Sequence, residues 1–119
     1  MAEAGFWVVW GVPTRGRERQ AVETLKESMQ YFEGLARDCR IERSDTVVLK
    51  PQSTEIGGFF LLQGTQQQID SLRRDTDFQR WVNLVQLVAD KIGVVDAWVD
   101  KGIPEALSLY DDALKQAGL

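Results

Sequence analysis

The chain contains no histidine, and cysteine occurs once, at Cys39. These two facts remove most side-chain chemistry at the outset. His-based triads, His-ligated haem, most zinc sites and any disulfide within the chain are excluded. Without a basic partner Cys39 has nothing to activate it, and it reads as a small buried apolar residue. Asp75, Asp77, Asp111 and Asp112 are scattered or adjacent, without the spacing of a metal-binding loop, and read as helix starts and solvated faces. The expectation is no catalytic set, no metal site and no cofactor.

Three groupings could still bind something. Trp10, Gln63, Asp96 and Trp98 fall at alternating positions of apolar segments. A Gln and an Asp among aromatic rings could orient a small planar ligand. The same residues read equally as the core of an interface, where aromatics dominate, and that reading is preferred. Arg15 and Arg17 precede a helical pattern, where cations beside free backbone N–H groups make an anion site physically reasonable. The segment Gly11–Arg17 superficially resembles a phosphate-binding loop. However, Arg17 replaces the lysine, Glu18 replaces the magnesium-binding hydroxyl residue, and Pro13 removes an N–H, so a solvated basic turn is preferred. Tyr31, Phe32, Phe78 and Trp81 recur at helical spacing. They are candidates to line a pocket between helices and sheet, or simply to pack the core.

Composition limits what such sites could serve. The 119 residues are 44% hydrophobic and 27% charged, which fits one globular domain over 1–119, with a core at about 5–100. A net charge of −4 and a pI near 4.8 argue against nucleic acid as a partner. No apolar run reaches the ~20 residues of a membrane span. The uncharged run from Ala4 to Thr14 follows Glu3 rather than basic residues, so it does not read as an export signal. With a single thiol, the expected location is cytoplasmic.

Periodicity predicts the elements that must position these residues. Phe6–Val12 (FWVVWGV) reads as a strand stopped by Pro13. From Arg17 to about Cys39, Val22, Leu25, Met29, Phe32 and Ala36 mark an amphipathic helix. Ile41–Lys50 and Phe59–Gly64 read as strands around a turn-rich connection. Thr65 opens a helical region interrupted near Asp75–Asp77, Ile92–Val99 reads as a fourth strand, and Ile103, Leu107, Tyr110 and Leu114 stripe a last helix at about 103–117. The order β-α-β-β-α-β plus a C-terminal helix predicts an α+β, ferredoxin-like domain with an antiparallel sheet.

The strands are apolar on both faces, which a two-layer domain does not require. With the first and third strands read as parallel, Gly11 and Gly64 both fall near C-terminal ends, where small residues admit a helix. That assignment leaves Phe6, Val8, Trp10, Phe59, Leu61, Val94 and Trp98 on the uncovered face, with only Gln63 and Asp96 polar. A patch of that size calls for cover, and a second copy of the sheet is the simplest one.

The element order, the segment GGFFLLQG (Gly57–Gly64) and the segment VVDAWVD (Val94–Asp100) resemble the dimeric α+β barrel superfamily, over about Gly5 to Asp100. The nearest likeness is to its small uncharacterised bacterial members. The resemblance implies a homodimer that stacks sheet on sheet. It includes cofactor-independent monooxygenases, lactone isomerases and haem enzymes, but without histidine this chain lacks a His haem ligand or a His acid–base. The reading is a non-catalytic module that binds a small apolar or aromatic molecule, or a protein partner. The alternative is a cofactor-independent monooxygenase- or isomerase-like enzyme acting on an aromatic or polyketide-like compound.

Overall fold

A computed structural model describes residues 2–52 and 54–119. The elements are β1 (Ala4–Trp10), α1 (Glu18–Arg37), β2 (Arg43–Val48), β3 (Gly58–Gly64), α2 (Gln66–Arg74), α3 (Thr76–Gln86), β4 (Gly93–Trp98), a single 3-10 turn (Asp100–Gly102) and α4 (Ile103–Gln116). The order and types match the periodicity, with boundaries moved by a few residues.

Local chemistry sets the ends. Thr65 and Gln68 form a reciprocal capping box at the start of α2, and the Asp75 carboxylate accepts the Asp77 N–H at the start of α3. At the end of α1 the Arg40 N–H bonds the Leu35 carbonyl (2.9 Å) and the Cys39 N–H bonds the Ala36 carbonyl (3.1 Å). This is a Schellman closure, and it places Cys39 at the left-handed position with φ 59°. Cys39 is therefore an exposed turn residue and not a buried apolar one, because the helix end requires that backbone there.

The four strands form one antiparallel sheet in the order β2-β3-β1-β4. Each β-α-β passage therefore steps over one strand, which brings α1, α2 and α3 onto the same face. There Phe32, Leu35, Ile69, Leu72, Phe78, Trp81 and Val85 close over Phe6, Val8, Phe60 and Leu62. This is the ferredoxin-like arrangement expected from the element order.

The register corrects the assignment of faces. Phe6 pairs with Leu62 and Asp96, and Val8 with Phe60 and Val94, so all of these side chains share the face on which the helices pack. Trp10 and Trp98 share that face. Only Phe59, Leu61 and Gln63 stand on the bare face as expected, and in β1 and β4 the two faces are exchanged. The cause is strand direction: β1 and β3 are antiparallel, so Ala4 lies opposite Gly64 and the two glycines mark opposite ends of the sheet. Gly11 lies just beyond β1, where a Cβ would sit 2.9 Å from the Asp90 carbonyl oxygen and 3.1 Å from that of Glu55. Its smallness admits a loop, not a helix.

The bare face is nevertheless apolar, with different members. Val47, Phe59 and Val9 form one row and Leu61, Trp7 and Val95 the next, while Asp45, Arg43 and Gln63 make a polar corner on β2 and β3. The Trp7 and Phe59 rings lie 5.9 Å apart, and Val95 is 48% exposed. Among the described residues no helix is long and apolar enough to cross a membrane.

Candidate functional site

α1 carries the local feature that opens a site. Its sheet-facing side bears large residues toward the C-terminus (Phe32, Leu35) and, toward the N-terminus, Leu25 set among three small ones (Ala21, Thr24, Ser28). Three small side chains one turn apart cannot fill the space above the sheet. The result is an apolar cavity of about 130 Å³, floored by Val8, Trp10 and Phe60 from the sheet and walled by Trp81 and Val85 of α3 and by Val88, Ala89 and Ile92 beyond it. Exposed Val22 and Pro13 stand at its rim.

One polar arrangement is built into the wall. The Trp81 indole N–H donates to Ser28 Oγ (2.8 Å), and Ser28 Oγ donates to the Thr24 carbonyl (2.6 Å). A single hydroxyl thus satisfies the indole and spends its own proton on the helix backbone, which leaves the lining almost entirely apolar. Trp81 is fixed by edge contacts with Phe32 (4.8 Å) and Phe60 (6.1 Å), and Trp10 by Phe60 (4.9 Å). Rings held in this way make a rigid wall.

The candidate residues distribute as follows. Trp10 and Trp81 line the cavity. Phe78 lies deeper, stacked on Phe6 (5.4 Å) and Trp81 (5.8 Å), and is core. Tyr31 packs on Phe32 (5.2 Å) outside the cavity, and its hydroxyl is buried without a hydrogen-bond partner. Burial, and then the nearby Asp75 carboxylate, push that phenol up to about 12. Asp75 itself is held below the usual carboxylate range by the Arg40 guanidinium and by the Asp77 N–H.

The grouping of Trp10, Gln63, Asp96 and Trp98 does not form. Gln63 points to the bare face and donates to Asp45 (3.1 Å), whereas the other three lie on the helix side. Asp96 pairs with Arg73, whose guanidinium covers the Phe6 ring at 4.8 Å. Trp98 is 49% exposed near the end of the edge strand.

The anion site does not form around Arg17 either. Its Nη1 donates to the Leu87 carbonyl (2.7 Å), so the cation closes the C-terminal end of α3. The loop that carries it is pinned to the α3–β4 connection, with Gly11 N–H to Asp90 O at 2.8 Å and Thr14 N–H to Val88 O at 2.9 Å. Arg15 is exposed in the turn. Because β1 and β3 are antiparallel, Thr65 and α2 begin at the opposite end of the sheet, and no second helix start supports this one.

Sequence reasoning missed Ala21, Thr24 and Ser28. The signal was present as small residues at three- and four-residue steps beside the apolar stripe of α1, a pattern that leaves room instead of filling it.

No protein-family model matches the chain, and no curated protein matches it. Two solved structures share the architecture. A dimeric ferredoxin-like protein of unknown function from Jannaschia sp. CCS1 is 19% identical, with a TM-score of 0.62 over 81% of this chain and 99% of that one. A dimeric protein of unknown function and ferredoxin-like fold from Bacteroides fragilis NCTC 9343 is 6% identical, with a TM-score of 0.61 over 81% of this chain and 96% of that one. At such identities the likeness is one of fold, and the chain has the ferredoxin-like fold that its topology defines.

Proposed function

We propose that the protein is a homodimeric binding module that holds a small apolar or aromatic molecule between its sheet and helices and catalyses no reaction on it. The observation that carries this reading is the cavity lining. Among the described residues that form it, none ionises; its two hydroxyl residues are Thr24 and Ser28, that of Ser28 is already committed to Trp81 and to the helix backbone, and no base stands beside either to activate it. Such a wall offers shape and dispersion contacts but no acid, base or nucleophile. A cavity of about 130 Å³ is close to the engineered ~150 Å³ apolar cavities that stay dry and take benzene, so the ligand portion inside is about one ring in size. The two dimeric fold neighbours and the apolar bare face support assembly as a sheet-to-sheet dimer. The acidic charge disfavours nucleic acid, and the single thiol fits a cytoplasmic protein.

Titration with benzene, followed by amide and indole N–H shifts, tests the binding reading. Saturable shifts at Ser28, Thr24 and the Trp81 indole at about millimolar benzene are expected, and Ala21→Leu should abolish them by filling the space. Shifts that never saturate, or that survive Ala21→Leu unchanged, contradict it.

A further inference from the structure

The C-terminal helix is amphipathic and is largely uncovered in the single chain. Ile103, Leu107, Tyr110 and Leu114 lie along one face of α4, and Glu105, Asp112 and Lys115 lie away from it. Yet no residue of α4 is buried, and Leu107 and Tyr110 are 65% and 67% exposed. Among the described residues its main neighbour is the 3-10 turn that leads into it. The projection shows in the dimensions: the radius of gyration is 16.2 Å, against about 13.5 Å for a compact chain of this length. A helix of 14 residues is marginal in water without a surface to pack on.

The root of the helix is fixed. The Val99 N–H bonds the Glu3 carbonyl and the Lys101 N–H bonds that of Ala2, each at 3.2 Å. Gly102 is pressed so closely on the Glu3 carbonyl that a Cβ there would overlap it. These contacts anchor the turn from which α4 projects, and the helix stripe beyond it is left largely exposed. That root follows β4, whose outward residues Val95 and Ala97 belong to the bare sheet face. The apolar helix stripe thus begins at the end of the sheet where β1 starts and β4 stops, an edge that the covered face shares with the face assigned above to the dimer. The dimeric neighbours are matched almost end to end, yet they leave about a fifth of this chain unmatched, so this chain has length beyond their shared fold.

We infer that α4 is an arm that packs its Ile103–Leu107–Tyr110–Leu114 stripe on the partner subunit of a homodimer, extending the sheet-to-sheet contact. This rests on the dimer reading above, and the test separates the two. The full chain is compared with the double variant Leu107→Lys/Tyr110→Lys, whose sites are exposed and whose fold is checked by circular dichroism. Sedimentation equilibrium gives the dimer dissociation constant. Isotope-filtered NOEs in mixed labelled and unlabelled dimers show which subunit touches the Tyr110 ring. The expected results are a rise of at least about 100-fold in the dissociation constant, a loss two strongly buried side chains can account for, and NOEs between subunits from Tyr110. A wild-type chain that is monomeric removes the dimer and the arm together. A wild-type dimer whose constant is unchanged in the double variant, or whose Tyr110 NOEs stay within one subunit, overturns the arm and leaves the sheet-to-sheet dimer standing.

Discussion

One sheet presents two apolar faces that differ in what covers them. Phe6, Val8, Phe60 and Leu62 lie under α1–α3 and retain at most 3% exposure. One residue along the same strands, Trp7, Val9, Phe59 and Leu61 are only partly buried and have no helix above them. Fully burying a side chain of this size is worth about 1.5–3 kcal/mol, so the covered face accounts for the folding of the single chain. On the bare face the side chains are already mostly buried by their strand neighbours, so the reserve left there is smaller, but the single chain does not use it. A strand that is apolar at every position therefore calls for two covering layers, and here the chain supplies one.

The sharpest test of this contrast is a matched pair of truncations in β1. Phe6→Ala opens a hole between Phe78 and Leu62 and should cost about 3–5 kcal/mol in urea unfolding. Trp7→Ala, although it removes a larger side chain, should cost the isolated subunit much less and weaken the dimer instead. Equal losses of subunit stability would erase the distinction between the faces.

Next in size is Ser28→Ala on the covered side. It leaves the buried Trp81 N–H without an acceptor and should cost about 1–3 kcal/mol, read by the same unfolding curve. A neutral result would mean that the indole finds another partner in the cavity.

The smallest effect is expected at Tyr31→Phe, which removes a hydroxyl that is buried without a partner. Stability at neutral pH should be unchanged or rise by up to about 1 kcal/mol. The phenol is raised to about 12 in the folded chain, whereas it ionises near 10 when unfolded. Below about pH 10 the phenol is neutral in both states, and as pH rises from about 10 toward 12 the unfolded chain ionises first, so stability falls over that range. Thermal melts between pH 9 and 12, ranges set by those same pKa values, should fall less steeply for the variant than for the parent, and identical profiles would contradict this.

Element order was legible in the sequence because it depends on spacing alone. Val22, Leu25, Met29 and Phe32 mark a helix wherever it packs, and Asp75 marks a helix start through its own side chain. The faces were harder to read, because alternation gives two sets per strand without saying which set meets the helices. Glycine positions do not decide it either, because Gly11 is small for the carbonyls of Asp90 and Glu55 and not for a helix. Asp96 looked like a polar group on an open face. Its partner Arg73 comes from α2, and only the tertiary fold brings the two together. The cavity arises where Ala21, Thr24 and Ser28 are small, a spacing that the sequence carries but that only the packing of α1 on the sheet turns into space.

The most direct test is sedimentation equilibrium of the wild-type chain beside Leu61→Glu, which places a charge in the middle of the bare face. The account predicts a wild-type mass twice the 13.5 kDa of the chain, and a folded monomer for the variant. A wild-type chain that stays monomeric across the concentration range, or a Leu61→Glu chain that dimerises as tightly as the parent, would contradict it.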